Sequence, residues 1–284
     1  MNVPSIAPTR RLALLCNAFP YGTWEPYLET ELPYLDGFDR VDLFALSVRP
    51  DQRKTRRHID LDNVVVHAIP YRSRLRYALG GLRALATADF YHELRRMVRG
   101  KNLTTRRLVK LLVVISRGTS EAGVIARVLR RSGLRADEAF LLYSYRMEYH
   151  SYVVLRLKRA FPAARVVLRG HRYDLYEEMS PGGFIPLRDA AFRVADRILP
   201  VSDHGADYLR ARFPEAAERI TVRRLGTTDL GLAPIPPQGG PLRIITISTI
   251  TTAKRLDRLV KALTQLDRPA EWDHFGDGPL RPDL

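Results

Sequence analysis

Short apolar runs rich in β-branched residues alternate along this chain with stretches of helical periodicity, and that alternation limits its fold more than any other feature. RLALLCNAF (11–19), VDLFALSV (41–48), NVVVHAIP (63–70), EAFLLYSY (138–145), ARVVLRGH (164–171) and DRILPVS (196–202) read as strands. Helical patterns lie between them: 25–35, with Leu28, Leu32 and Leu35 on one side, then 73–97, 103–131, 147–161, 187–194 and 204–213. In 103–131 the residues Leu108, Leu111, Leu112 and Ile115, then Val124, Ile125, Val128 and Leu129, form an apolar stripe. RITVRRLG (219–226) reads as extended again. Strand runs separated by helices predict βαβ units, hence an α/β protein whose parallel sheet is covered on both faces.

The pattern breaks at LGLAPIPPQGGP (230–241), where closely spaced prolines and glycines mark a connection rather than an element. It then restarts with LRIITIST (242–249) as a strand, 256–266 as a helix and EWDHFGDG (271–278) as a strand entering a glycine turn. The expected organisation is an N-terminal domain over 1–229, a linker over 230–241, and the start of a second domain over 242–284. A strand–helix–strand piece is shorter than the ~50 residues at which domains usually begin, so the second domain is expected to be incomplete.

Composition narrows the class. With 45% apolar and 27% charged residues the chain is globular, which excludes disordered, collagenous and coiled-coil readings. No apolar run approaches the ~20 residues of a spanning helix. Cys16 is the single cysteine, which rules out an internal disulfide and fits a reducing compartment. The N-terminus MNVPSIAPTRR followed by LALLCNAF looks like a signal peptide, but it runs into FPYGTWEP without a small-residue cleavage site. A first buried strand and a cytoplasmic location are therefore expected, with peripheral attachment to the inner face of the cell membrane as an addition.

The formal charge of +15 is concentrated. Residues 53–131 hold nineteen Lys or Arg against Asp60, Asp62, Asp89, Glu93 and Glu121, a surplus of +14. A solvated helix face, an anionic membrane surface and nucleic acid all suit such a segment. Nucleic acid is not expected, since no zinc spacing, RNP-like aromatic run or helix-turn-helix signal accompanies the charge.

In open parallel sheets ligands bind beyond the carboxyl ends of the strands. In FPYGTWEPYLETEL (19–32), Gly22 sits in a turn and Trp24 and Glu25 lead into a helix. This is either an approach for phosphate or sugar oxygens or a tight turn with an acid near a helix start. No G-x-G-x-x-G is present. SYRMEYHSY (144–152), with Tyr143 just before it, gathers Tyr145, Tyr149 and Tyr152 near a strand end, suited to a sugar cleft or to packing. In LRGHRYDLYEE (168–178), His171 follows a strand and Asp174 comes three residues later, a pair placed to touch ligand or to serve structure. No second His or Cys lies at ligand spacing, so no metal is expected. Ser202 or Asp203 caps the helix that follows. In ISTITTAKRLDRLVKAL (247–263), Lys254 and Arg255 stand at a helix start, where cations oppose the dipole unless an anion is bound.

Together FPYGTWEPYLETEL, RGHRYDLYEE, ILPVSDHGADYL, VRRLGTTD, TAKRLDRLVKAL and HFGDGPL resemble, in order and spacing, the retaining glycosyltransferases of family four, which have the GT-B fold. The likeness is strongest to those that build bacterial capsular or exopolysaccharides. It implies two Rossmann-like domains, the first on the acceptor side and the second holding a nucleotide-sugar donor. A saccharide or lipid-linked acceptor and no cofactor or metal follow from the same likeness. It further implies His171 and Lys254 as catalytic, and Gly22, Lys254, Arg255 and Thr249 around the donor diphosphate. Trp24, Glu25, Tyr145 and Asp174 would lie on the acceptor or sugar side. Two departures stand out: Thr249 or Thr252 holds the place of an arginine, and the family's E-x7-E pair would lie past Leu284. A truncated, impaired enzyme is the expectation. The rival readings are a non-catalytic basic module for membranes or polyanions, and a GT-B sugar-nucleotide epimerase.

Overall fold

The computed structural model describes residues 10–70, 77, 81, 84–232, 234 and 239–283. The expected helix over 73–97 and the linker over 230–241 lie partly outside these residues. The chain divides into two compact units, Met1–Thr228 and Asp229–Leu284.

The first unit follows the alternation read from the sequence. Its elements run β1 (Arg11–Cys16), α1 (Tyr27–Glu31), β2 (Arg40–Val48), β3 (Val64–Pro70), α2 (Ala88–Arg99), α3 (Thr105–Arg131), β4 (Leu141–Ser144), α4 (His150–Ala160), β5 (Arg165–Gly170), α5 (Arg172–Leu175), α6 (Arg188–Val194), β6 (Arg197–Pro200) and α7 (Asp203–Arg212). The strands form one six-stranded sheet in the order β3-β2-β1-β4-β5-β6, every pairing parallel. Strand side chains alternate between faces. Leu12, Leu14 and Cys16 therefore join a core with Leu28 and Leu32 on one side. Ala13 and Leu15 join Ile115, Ile125, Val153 and Phe192 on the other. Because both faces are covered, all six residues of β1 are buried, which explains why its sequence is a continuous apolar run rather than an alternating one.

RITVRRLG does not become a strand. Ile220 makes a single parallel bridge to Ile198 of β6, and Thr221 and Arg223 donate N–H bonds to Ile198 and Pro200. Beyond that the Arg223 and Arg224 carbonyls accept from the Arg169 guanidinium of β5, which draws the segment away from ladder geometry.

The long helix α3 crosses the sheet against α4 at a close approach. A Cβ on Gly118 would stand 2.6 Å from Tyr152 Cδ1. The Tyr152 hydroxyl is tied to Asp89, so the ring has no free retreat. Gly118→Ala is expected to lose ~2 kcal/mol through overpacking, outweighing its helix-propensity gain of about 1 kcal/mol. A urea titration of the purified variant checks this; unchanged stability would mean that the two helices can part.

The second unit contains β7 (Leu242–Ile247), α8 (Leu256–Leu263) and β8 (Ala270–Phe275), with β7 and β8 parallel. Its strands alternate between half-buried and exposed, so one face of the pair is covered. Ile245, Ile247 and Phe275 lie on the exposed face.

Candidate functional site

The strand order places a switch point between β1 and β4: from β1 the chain winds outward to β2 and β3, and from β4 the other way to β5 and β6. Loops leaving adjacent strands in opposite directions leave a crevice at the carboxyl ends. The residues after β1, β4 and β5 meet there.

Glu25 follows β1 in the left-handed region (φ 54°) and is almost fully buried. Its carboxylate accepts N–H bonds from Asn17 (2.9 and 3.0 Å), Ala18 (3.0 Å) and Phe19 (3.2 Å), closing the loop on itself. Arg146, two residues beyond β4, approaches the same carboxylate at 3.3 Å. Gly22 has φ 65°, the conformation for which glycine is suited, and a Cβ there would crowd Gln52. Its N–H donates to the Thr55 carbonyl, so it is already engaged within the loop. Trp24 is partly exposed, with the Arg49 guanidinium 5.4 Å from its ring.

His171 begins the turn after β5. Its ring lies 4.9 Å from that of Tyr145, which is fully buried. Among the described residues neither imidazole nitrogen makes a hydrogen bond; both are buried, and Nδ1 lies 4.0 Å from the Asp174 carboxylate. Burial, reinforced by the Arg146 and Arg169 charges, pulls its pKa down to about 3, so the ring is neutral at physiological pH. A neutral imidazole offers one donor and one acceptor, which is what a sugar hydroxyl or phosphate oxygen can use.

Asp174 is fully buried and holds this turn rather than facing outward. Its carboxylate accepts from the His171 N–H (2.6 Å) and the Met147 N–H (2.8 Å), tying the loop after β5 to the loop after β4. Burial pushes its pKa up to about 6, against the opposing pull of Arg146 and those two N–H groups. Behind it Arg188, with no exposed surface, donates to the Asp174 and Leu175 carbonyls.

His171 opens onto a cavity of about 430 Å³ lined with Arg172, Tyr176, Glu178, Ser202 and His204. Ser202 is the helix cap, its hydroxyl accepting from the Gly205 N–H at 3.1 Å. Tyr176 is bonded to His204. Leu175, Met179 and Val201 complete the lining, which is mostly apolar with a few polar groups set into it.

Thr249, Lys254 and Arg255 belong to the second unit. Thr249 and Lys254 are exposed. Arg255 adopts φ 51° at the start of α8 and pairs with Asp257 at 3.0 Å. Both members of that pair line a second cavity, about 620 Å³, with Thr251, Thr252 and Lys261.

Within the first unit, then, the structure brings Glu25, Tyr145, His171 and Asp174 together. Arg146, Arg169 and Arg188 complete the group, and sequence reading did not single them out. Among the described residues no three or more His, Cys, Asp or Glu converge as a metal site. Nor is any described helix long and apolar enough to cross a membrane.

No protein-family model matches this chain, and no curated protein sequence matches it. Solved structures do. A lipopolysaccharide outer core galactosyltransferase, WaaB, in its apo form aligns with a TM-score of 0.59 at 11% identity, covering 96% of this chain and 63% of that one. The catalytic domain of starch synthase IV from Arabidopsis thaliana, bound to ADP and acarbose, aligns with a TM-score of 0.54 at 11% identity, covering 96% and 69%. The fold is that of the GT-B glycosyltransferases. This chain spans less than two thirds of the galactosyltransferase it matches.

Proposed function

We propose that this chain transfers a sugar from a nucleotide-sugar donor to a saccharide or lipid-linked acceptor, with retention, in cell-surface polysaccharide biosynthesis. The observation that carries the reading is His171: a neutral imidazole whose nitrogens make no hydrogen bond among the described residues, beside the cavity between the loops after β5 and β6. In this reading His171 hydrogen-bonds the donor sugar, and Tyr145, Asp174 and Glu25 hold the loops that position it. Trp24 offers its exposed ring on the acceptor side. Lys254, Arg255 and Thr249 hold the donor diphosphate, while Gly22 shapes the first loop through its turn.

The chemistry follows from charge. As the bond from the anomeric carbon to the diphosphate breaks, negative charge grows on the leaving oxygen, and fixed cations stabilise it. The acceptor hydroxyl forms the new bond on the same sugar face and passes its proton to the departing diphosphate. No metal is needed for those steps in this reading. The enzyme works in the cytoplasm, with an anionic membrane surface as a further partner of its basic segment.

The test incubates the purified chain with UDP-, ADP- and GDP-sugars, with and without a lipid-linked saccharide, and follows nucleotide release and product anomer by NMR. Acceptor-dependent release with retained configuration is expected, falling about tenfold in His171→Ala, the size of one lost neutral hydrogen bond. An inverted product would remove retention alone. Interconversion of the sugar nucleotide without acceptor would replace transfer by epimerisation, and absence of both binding and turnover with every donor would reject the reading.

A further inference from the structure

The segment through which the chain leaves the first unit is held across the carboxyl end of the sheet mainly by side chains. Thr221 and Arg223 donate their N–H groups to Ile198 and Pro200 of β6, at 3.0 Å each. From residue 224 to 230 no backbone N–H donates a hydrogen bond among the described residues. The strap then passes inward from β6 across β5 to α1. Its Arg223 and Arg224 carbonyls meet Arg169 of β5, and its Gly226 carbonyl lies 3.3 Å from the Thr30 hydroxyl of α1. Leu225 packs against the core that holds Leu14, Leu28 and Tyr145, and residues 226–232 beyond it are exposed.

Arg169 is the one side chain that joins all of these parts. It is 5% exposed, and its Nη2 donates to the Arg223 and Arg224 carbonyls at 3.2 and 3.1 Å. Its Nη1 meets Glu31 of α1 at 2.9 Å and the Tyr143 hydroxyl of β4 at 3.2 Å. Burial works against its charge, but Tyr143 and Glu31 outweigh that and hold its pKa above the ordinary arginine value. The guanidinium also lies 5.6 Å from the ring of Tyr145, which in turn packs against His171. A strand buried on both faces asks for an apolar residue here, and a buried cation is costly. What an apolar residue cannot do is grip a carboxylate and a hydroxyl with one arm of a planar fork and two carbonyls with the other. The strap's other ion pair, Arg224 with Asp203, is 70% and 68% exposed and contributes little.

We infer that Arg169, braced by Glu31 and Tyr143, is a positioning residue that latches residues 223–226 onto the first unit and so fixes where the chain departs towards the second. One guanidinium then sets both the chain's exit and the ring on which His171 rests. The consequence for turnover rests on the transferase reading, in which the second unit carries the donor. A loosened exit costs orientation between donor and acceptor sides, which lowers the rate of transfer rather than the affinity for donor. The latch itself is read by proteolysis, without turnover, so its failure and that of glycosyl transfer are distinguishable.

Trypsin tests it on the whole native chain, because the two carbonyls that Arg169 holds belong to the bonds trypsin cuts, those after Arg223 and Arg224. The protease must draw that carbonyl into its own oxyanion hole, so a latched bond resists. No Lys or Arg follows until Arg243, and mass spectrometry identifies the fragments of a cut in the strap. Arg169→Lys keeps a charge beside Glu31 but cannot span both carbonyls. Its initial cleavage at these two bonds should rise about tenfold, the size of one lost bond to a charged group. Glu31→Gln, which acts through Arg169, should raise it about threefold, and Asp203→Asn should leave it within about twofold. Cleavage elsewhere and the urea midpoint should stay near wild type, since a merely destabilised unit would open all its bonds together. If Arg169→Lys does not fold, Glu31→Gln carries the test. With a working donor and acceptor, the latch-opened variant should lose about tenfold in kcat while donor KM stays within about twofold. Wild-type cleavage in both latch variants, an equal gain at bonds throughout the chain, equal opening by Asp203→Asn, or undiminished kcat with the strap open would each overturn the proposal.

Discussion

Replacing Arg188 with methionine is expected to destabilise the first unit by about 3 kcal/mol and to weaken ligand binding at His171. Two large effects oppose each other. Arg188 is fully buried, and burial draws its guanidinium below the ordinary arginine value, with Glu177 and Asp174 charges opposing that shift. Among the described residues no carboxylate pairs with it directly; its partners are the Asp174 and Leu175 carbonyls. Methionine removes the cost of burying the charge, but it leaves two buried carbonyls without donors, at ~1–3 kcal/mol each. The loss wins because those carbonyls belong to the turn that carries His171, where no helix or ladder offers another donor. Lysine would not rescue: one ammonium cannot reproduce the planar fork that reaches both oxygens. Urea denaturation of Arg188→Met, Arg188→Lys and the exposed neighbour Arg193→Met measures this, the last expected within about 0.5 kcal/mol of wild type. A methionine variant as stable as wild type would show that the turn holds itself.

That residue also shows where sequence reading stops. The strands were legible because buried parallel strands are apolar on both faces: β1 and β5 fall within the runs RLALLCNAF and ARVVLRGH, and β2 starts one residue before VDLFALSV. Their order was not, since alternation predicts parallel neighbours without saying that β1 lies beside β4. His171 stood out as a lone imidazole after an apolar run. Arg146, Arg169 and Arg188 could not, because 46 Lys and Arg make any one of them look like a solvated cation. Burial distinguishes them, and burial is a tertiary property. Asp174 had an ambiguous spacing: a carboxylate three residues past a strand end can face a ligand or reach back to the N–H of the first residue, and here it reaches back. Glu25 does the same across the loop after β1. For both, the carboxylates are spent on fixing the crevice's walls.

The buried imidazole of His171 has a measurable pH signature. In the unfolded chain His171 titrates near its ordinary value of 6.5, whereas in the folded unit it stays neutral down to about 3. Between those values the unfolded state binds a proton that the folded state refuses, so this residue removes stability as pH falls from 6.5 towards 3. Asp174 acts with the opposite sign. Its folded pKa of about 6 against 3.8 means the folded state takes up a proton first, so its contribution grows as pH falls from 6 towards 3.8. The two largely cancel from pH 6 to 3.8, which hides both in the wild type. His171→Gln uncovers the aspartate: relative to wild type, the variant should gain ~3 kcal/mol between about pH 7.5 and pH 4, since each pH unit below the ordinary histidine value removes about 1.4 kcal/mol from the wild type alone. Urea titrations of both proteins at the two pH values read the difference directly. A variant that tracks the wild type at both would mean that His171 is protonated in the folded protein, and the neutral imidazole on which the ligand site depends would be lost with it.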